Sequence, residues 1–223
     1  MWEFDKPAAN KRVGRVRGNA LAAIDGCPFE VLEEDLLRAQ IYALLGQLLV
    51  RPPDRALLDL ASNIEGDDDT PLGSALNDLA KAARATSVED AETEYNELFI
   101  GVARGELIPY ASYYLTGFLH ERPLADLRSA MTKLGIARAE GVVDPEDHIA
   151  SLCEMMRGMM TGVFGKPVPL DEQRAFFDAH IATWAPKFFE DLERAEGAQL
   201  YAPVGRIGQS FMAIETEAFE LAA

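Results

Sequence analysis

Asp144-Pro145-Glu146-Asp147-His148 crowds three carboxylates around an imidazole within five residues. Carboxylates gathered in this way can bind guanidinium groups through charge-assisted, bidentate hydrogen bonds. Acidic neighbours favour the protonated form of an imidazole, so His148 offers a pH-dependent adjustment of such binding. The alternative is a hydrogen-bonded structural histidine at a helix start. Earlier in the chain, Tyr95, Leu98 and Phe99 fall at i, i+3 and i+4, on one face of a helix. That spacing ordinarily marks core, so Leu98 and Phe99 are expected to pack inside and position Tyr95. Tyr110 and Tyr113 offer hydroxyls that can line a site, with buried aromatic packing as the equal alternative.

Catalytic signatures are missing. His120, His148 and His180 lie far apart, and none has Glu three residues before it, which removes the di-iron pattern of helical bundles. There is no His-Glu-x-x-His, no Gly-x-Ser-x-Gly elbow and no Walker loop. Cys27 and Cys153 have no zinc-like spacing. His148 and Cys153 stand at i, i+5 and face different directions on a helix, so Cys153 reads as a small core residue. These absences favour a binding protein, without a metal or cofactor of its own, over an enzyme. Met155, Met156, Met159 and Met160 fall on the helix after the acidic box. Core filling is their ordinary role, although a methionine-rich face can also accommodate varied apolar peptides.

The elements that must hold these residues read as helices. Asp144 is a good N-cap, Pro145 suits the first helical position, and Glu146 and Asp147 complement the macrodipole, predicting a helix from Pro145 to about Phe164. Leu37, Ile41, Leu44, Leu45 and Leu48 trace an apolar stripe that ends at Pro52-Pro53. Segment 65–71 is a loop by its charges and helix breakers. Ser87 with Asp90 reads as a capping box for the helix bearing Tyr95. A helix capped by Asp171 is expected to run through Trp184 to Leu192, and a last one from about Val204 to Ala218. Alternating β-branched runs do not occur. The fold class is therefore all-α, a single globular domain of roughly eight to ten helices over residues 26–223. Residues 1–25 form a basic segment with Lys6, Lys11, Arg12, Arg15 and Arg17, expected to be a mobile tail.

Composition narrows the partners. The 37 acidic and 21 basic residues leave a net charge of −16, which repels phosphate backbones and anionic lipid and favours cationic partners. Two cysteines cannot build a disulfide framework, and neither a membrane span of about 20 apolar residues nor a signal-peptide core is present, so a cytoplasmic location is expected.

The two boxes together resemble the signature motifs of the TorD/DmsD/NarJ-like chaperones, an aromatic-x-x-Leu-Phe box and a Glu-Pro-x-Asp-His box. Asp144 stands where the family usually has Glu, keeping the charge. The stretch Pro109-Tyr110-Ala111-Ser112-Tyr113-Tyr114 is similar to a Pro-Tyr-x-Ser-x-Tyr run that related chaperones carry at this place. The resemblance spans roughly Val31 to Phe219. It implies an all-helical, TorD-like chaperone that binds the twin-arginine signal peptide and the apo catalytic subunit of a molybdenum or tungsten oxidoreductase. In this reading it assists cofactor insertion and delays export until folding is complete. It implies peptide recognition by Asp144, Pro145, Glu146, Asp147 and His148, with Tyr95, Leu98, Phe99, Tyr110 and Tyr113 forming or supporting an apolar wall. It also implies either a monomer or a helix-swapped homodimer. A NarJ-like chaperone for a non-exported subunit is the nearest alternative. A nucleotide hydrolase is a more distant one, since guanine nucleotides have been proposed as ligands in the family.

Overall fold

Ten α-helices account for most of the chain in the computed structural model, which describes residues 32–101, 105–138 and 144–222. The basic N-terminal segment and Cys27 lie outside the described residues. The helices are α1 Glu33–Val50, α2 Arg55–Ser62, α3 Pro71–Ala85, α4 Val88–Tyr95, α5 Ala111–Thr116, α6 Arg122–Leu134, α7 Ile149–Thr161, α8 Leu170–His180, α9 Ala185–Arg194 and α10 Tyr201–Leu221. No strand occurs among the described residues, where one isolated antiparallel bridge joins Tyr110 to His148. The all-α expectation is met. None of the described helices is long and apolar enough to cross a membrane.

α1 is the central rod. Three acidic residues, Glu33, Glu34 and Asp35, open it at the positive end of its dipole. It buries Ile41, Tyr42, Leu44, Leu45, Leu48 and Leu49, most of its circumference, while Leu37 from the expected stripe stays exposed. Its main neighbour is α7, whose Met155, Met156, Met159 and Met160 are all buried. The methionines are therefore core and not a peptide-facing surface. Truncating one of them to Ala would cost about 2–5 kcal/mol.

α10 packs against α9 and α3. A Cβ at Gly208 would stand 2.1 Å from the Phe189 ring, so only glycine permits this approach. Near its C-terminal end Glu215 is wholly buried and meets Arg38 of α1, accepting from Nε at 2.7 Å and Nη2 at 2.9 Å, with Tyr42 Oη donating at 3.0 Å. At its other end Leu200 supplies no side-chain cap. Glu94 of α4 takes that role, accepting from the backbone N–H groups of Gln199 (2.9 Å), Leu200 (3.1 Å) and Tyr201 (2.8 Å).

Several local expectations hold. Ser87 Oγ accepts from Asp90 N at 3.0 Å, and the segment before Thr70 is a loop. Three do not. α7 begins at Ile149, four residues after Pro145. The long helix expected after Pro169 is two, α8 and α9, parted at Ile181–Trp184. Pro186 lies in the first turn of α9, where a missing N–H is tolerated, and could not have continued α8. Asp171 sits in the first turn of α8, with Pro169 at the cap position. α10 starts at Tyr201 rather than Val204, because Glu94 satisfies its first amides.

Candidate functional site

The acidic box is a turn followed by an extended residue, not a helix start. Ile149 N donates to Pro109 O at 2.9 Å and Ala111 N donates to Asp147 O at 3.0 Å, so the backbone around His148 pairs with that around Tyr110. This pairing holds His148 in extended geometry and postpones α7 to Ile149. His148, not Asp144, is the N-cap, its Nδ1 accepting from Ala150 N at 3.1 Å. Asp144 is left exposed.

The three carboxylates are treated differently. Glu146 is 6% exposed and accepts from Arg128 of α6 through Nε (3.0 Å) and Nη2 (2.8 Å), with Arg138 Nη1 at 3.8 Å. Burial pushes its carboxyl up, but the hydrogen bond and charge of Arg128, helped by Arg138, outweigh that and hold it below the usual range. Arg138 also donates from Nη2 to Asp144 O at 2.6 Å, closing the turn. Asp147 is 1% exposed. Its Oδ2 accepts from Ser112 N at 2.8 Å, in the first turn of α5, while its Oδ1 has no hydrogen-bond partner among the described residues. An unsatisfied buried acceptor of this kind costs about 1–3 kcal/mol.

His148 is half-buried, and burial lowers its pKa to about 4, so it is neutral at pH 7. This corrects the expectation that acidic neighbours raise it. Glu146 is already paired with Arg128, and Asp147 with the Ser112 amide. The ring lies edge-on to Tyr110, with centroids 4.9 Å apart.

The aromatic box closes α4. After Tyr95 the helix widens into a π-helical turn, Asn96–Ile100, which ends at Gly101 with a φ of +60°. Tyr95 and Leu98 are buried and Phe99 is half-buried. Tyr95 Oη donates to Leu49 O at 3.3 Å, and its ring lies 4.9 Å from Phe99 and 6.1 Å from Tyr201. Burial, followed by the negative charge of Asp144, raises the Tyr95 phenol to about 12. Burial and then Asp144 and Asp147 do the same to Tyr110. The charge of Asp144 bears on both Tyr95 and Tyr110, while the contacts of the acidic box run to Tyr110. Tyr110, Asp147 and His148 form the tight centre of the site. Tyr113 is half-buried beside Tyr114, which ties α5 to α9 through Asp191, Trp184 and Phe188.

A cavity of about 110 Å³ opens beside Asp147, walled by α5, α6, α7 and α8. Asp126 and His180 line it and were not singled out as site residues from the sequence. They come from helices distant in the chain, and no local pattern marks them. Glu94 was missed for the same reason. Cys153 is buried and its thiol is pushed up, first by burial and then by Glu154, away from nucleophilic use. No group of three or more His, Cys, Asp or Glu among the described residues could hold a metal ion.

A family model described as nitrate reductase delta subunit matches residues 65–190, more than half of the chain and including both boxes. The chain belongs to this family. Membership bears out the TorD/NarJ-like resemblance read from the boxes. Among curated relatives, the chaperone protein TorD of Aliivibrio fischeri is 27% identical over 201 residues, covering 81% of this chain and 93% of the relative. The chaperone protein TorD of Vibrio vulnificus is 26% identical over 173 residues, covering 68% and 80%. A solved structure from Archaeoglobus fulgidus, described as a redox enzyme maturation protein, superposes with a TM-score of 0.55 at 20% identity, covering 85% of this chain and 99% of that one. That likeness establishes the family's helical fold in this chain.

Proposed function

We propose that this protein is a cytoplasmic chaperone that binds the twin-arginine signal peptide and apo-form of a molybdenum or tungsten oxidoreductase. It assists cofactor insertion and withholds the client from export until it has folded. The observation that carries this reading is the buried Asp147 carboxylate beside Tyr110, one oxygen fixed by Ser112 N and the other without a partner among the described residues. A preformed, partly satisfied anion in a protein of net charge −16 suits a cationic peptide. The names of the curated relatives and of the structural neighbour support a role in redox-enzyme maturation.

Within the acidic box the tasks divide. Asp147 is available to a ligand, Glu146 holds the turn through Arg128, and His148 caps α7. Asp144, exposed, adds negative potential at the rim. Tyr95, Leu98 and Phe99 act through packing, supporting the wall behind Tyr110. The test is calorimetric titration with a twin-arginine signal peptide, the same peptide with Lys-Lys, and one with its apolar segment made polar. Saturable binding lost with either change is the expected result; no binding to any of the three overturns it. The description of the matched family as nitrate reductase delta subunit favours one alternative, a client N-terminus without paired arginines. Undiminished binding of the Lys-Lys peptide would select it.

A further inference from the structure

The cavity beside Asp147 holds about 110 Å³, the share of three to four waters at ~30 Å³ each. That is room for one compact group of about four heavy atoms. Its walls are of two kinds. Leu127 and Leu152 present apolar faces, and Leu115, 44% exposed, carries the apolar surface out past the mouth. Asp147, Asp126 and His180 supply the polar side.

Asp147 Oδ1 is buried and without a partner among the described residues, although the same carboxylate is oriented by Ser112 N. Asp126 is exposed at the rim, in an i,i+4 ion pair with Arg122 at 3.5 Å, of the weak surface kind. The His180 ring rests against Phe176 at 5.0 Å, and burial lowers its pKa, which favours the neutral form with a lone pair to offer. Acceptors set among leucines call for a cationic donor with flat, weakly hydrated faces. A guanidinium has both properties; an ammonium is a strongly hydrated point charge with no such face.

We propose that this cavity seats a single arginine side chain of the client peptide, its guanidinium donating to Asp147 Oδ1 and its stem leaving between Asp126 and Leu115. The assignment rests on the peptide-binding reading above and deepens it. One guanidinium fills the space, so the two arginines of a pair are unequal: one is enclosed and the other stays at the surface.

Two measurements on the full chain test this. The first follows the Ser112 amide by NMR during titration with N-acetyl-argininamide, with N-acetyl-lysinamide as control. The expected result is a saturable shift with the arginine derivative alone, weakened at least tenfold in Ala179→Leu, which fills the cavity from an exposed wall position, and several-fold in Asp126→Asn. The second titrates twin-arginine peptides in which each arginine is separately replaced by Lys. One replacement should weaken binding at least tenfold and the other less than threefold, and Ala179→Leu should level the two. No saturable shift with N-acetyl-argininamide overturns the site whatever the peptides do. Equal sensitivity to the two replacements, unchanged in Ala179→Leu, overturns the site and leaves peptide binding standing. A shift without binding of any peptide overturns the peptide reading, and with it this occupant.

Discussion

Glu215 and Asp147 are both buried carboxylates, 0% and 1% exposed, in opposite surroundings. Glu215 accepts from two guanidinium nitrogens of Arg38 and from Tyr42 Oη, and Arg38 is further held by Asp35, Gln173 and the Phe219 ring. Asp147 accepts one backbone N–H and leaves an oxygen without a partner among the described residues. The first arrangement is complete within the chain and serves α1 and α10. The second is not complete within the described residues. Burial alone does not separate a structural charge from a binding one; the count of partners does.

The comparison can be broken most forcefully at its structural side. Glu215→Ala removes the buried partner of Arg38, leaving it only the half-buried Asp35, and should cost about 3–5 kcal/mol in chemical denaturation, with peptide affinity unchanged under conditions where the variant is folded. A peptide affinity that fell with it would erase the distinction. Next comes His148, the cap beside Asp147. Its folded pKa, about 4, lies below the unfolded value near 6.5. Between these values the unfolded chain takes up a proton that the folded one refuses, so this stability is complete above about pH 6.5 and is lost as pH falls toward 4. His148→Asn keeps a capping oxygen and should remove roughly 3 kcal/mol of the stability difference between pH 7 and pH 4, measured by urea denaturation at the two values.

Asp147→Asn sharpens the other side. The amide oxygen can still accept from Ser112 N, so stability should move by about 1 kcal/mol or less while affinity for an arginine-bearing peptide falls about tenfold or more. A large loss of stability with unchanged affinity would make Asp147 a structural carboxylate like Glu215. The smallest effect is expected at Tyr95→Phe. Its hydroxyl makes one long bond to Leu49 O, so about 0.5–1 kcal/mol should be lost in denaturation with peptide binding intact.

Much of this fold is legible in the chain because its signals are local. Apolar spacing marks α1, α3 and α6, Ser87 and Asp90 mark the start of α4, and Gly135 marks the end of α6. The break between α8 and α9 is also readable, from Pro186, which the expectation of one helix through Trp184 leaves out of account. The late start of α7 was not readable. It depends on Pro109 O and Ala111 N, whose pairing with the acidic box is a tertiary event that no cap preference anticipates. The candidate site divides the same way. Residue types and spacing located Asp147, His148, Tyr95 and Tyr110, yet the difference between Asp147 and Glu146 depends on Arg128 and Ser112, which arrive from other helices. Asp126 and His180 share a cavity with Asp147 only through the packing of α6 and α8.

Glu94 and the Arg38–Tyr42 pair grip α10 at opposite ends from two different helices. A helix fastened in this way cannot fray from either terminus without first breaking a contact to α4 or α1. Its mid-helix amides should exchange with solvent only through global opening, as one cooperative unit with those two helices. The same fastening bears on strand-free exchange of segments between copies. α10 cannot migrate to a second molecule unless α1 and α4 follow or release it, so any swapped assembly must part the chain elsewhere.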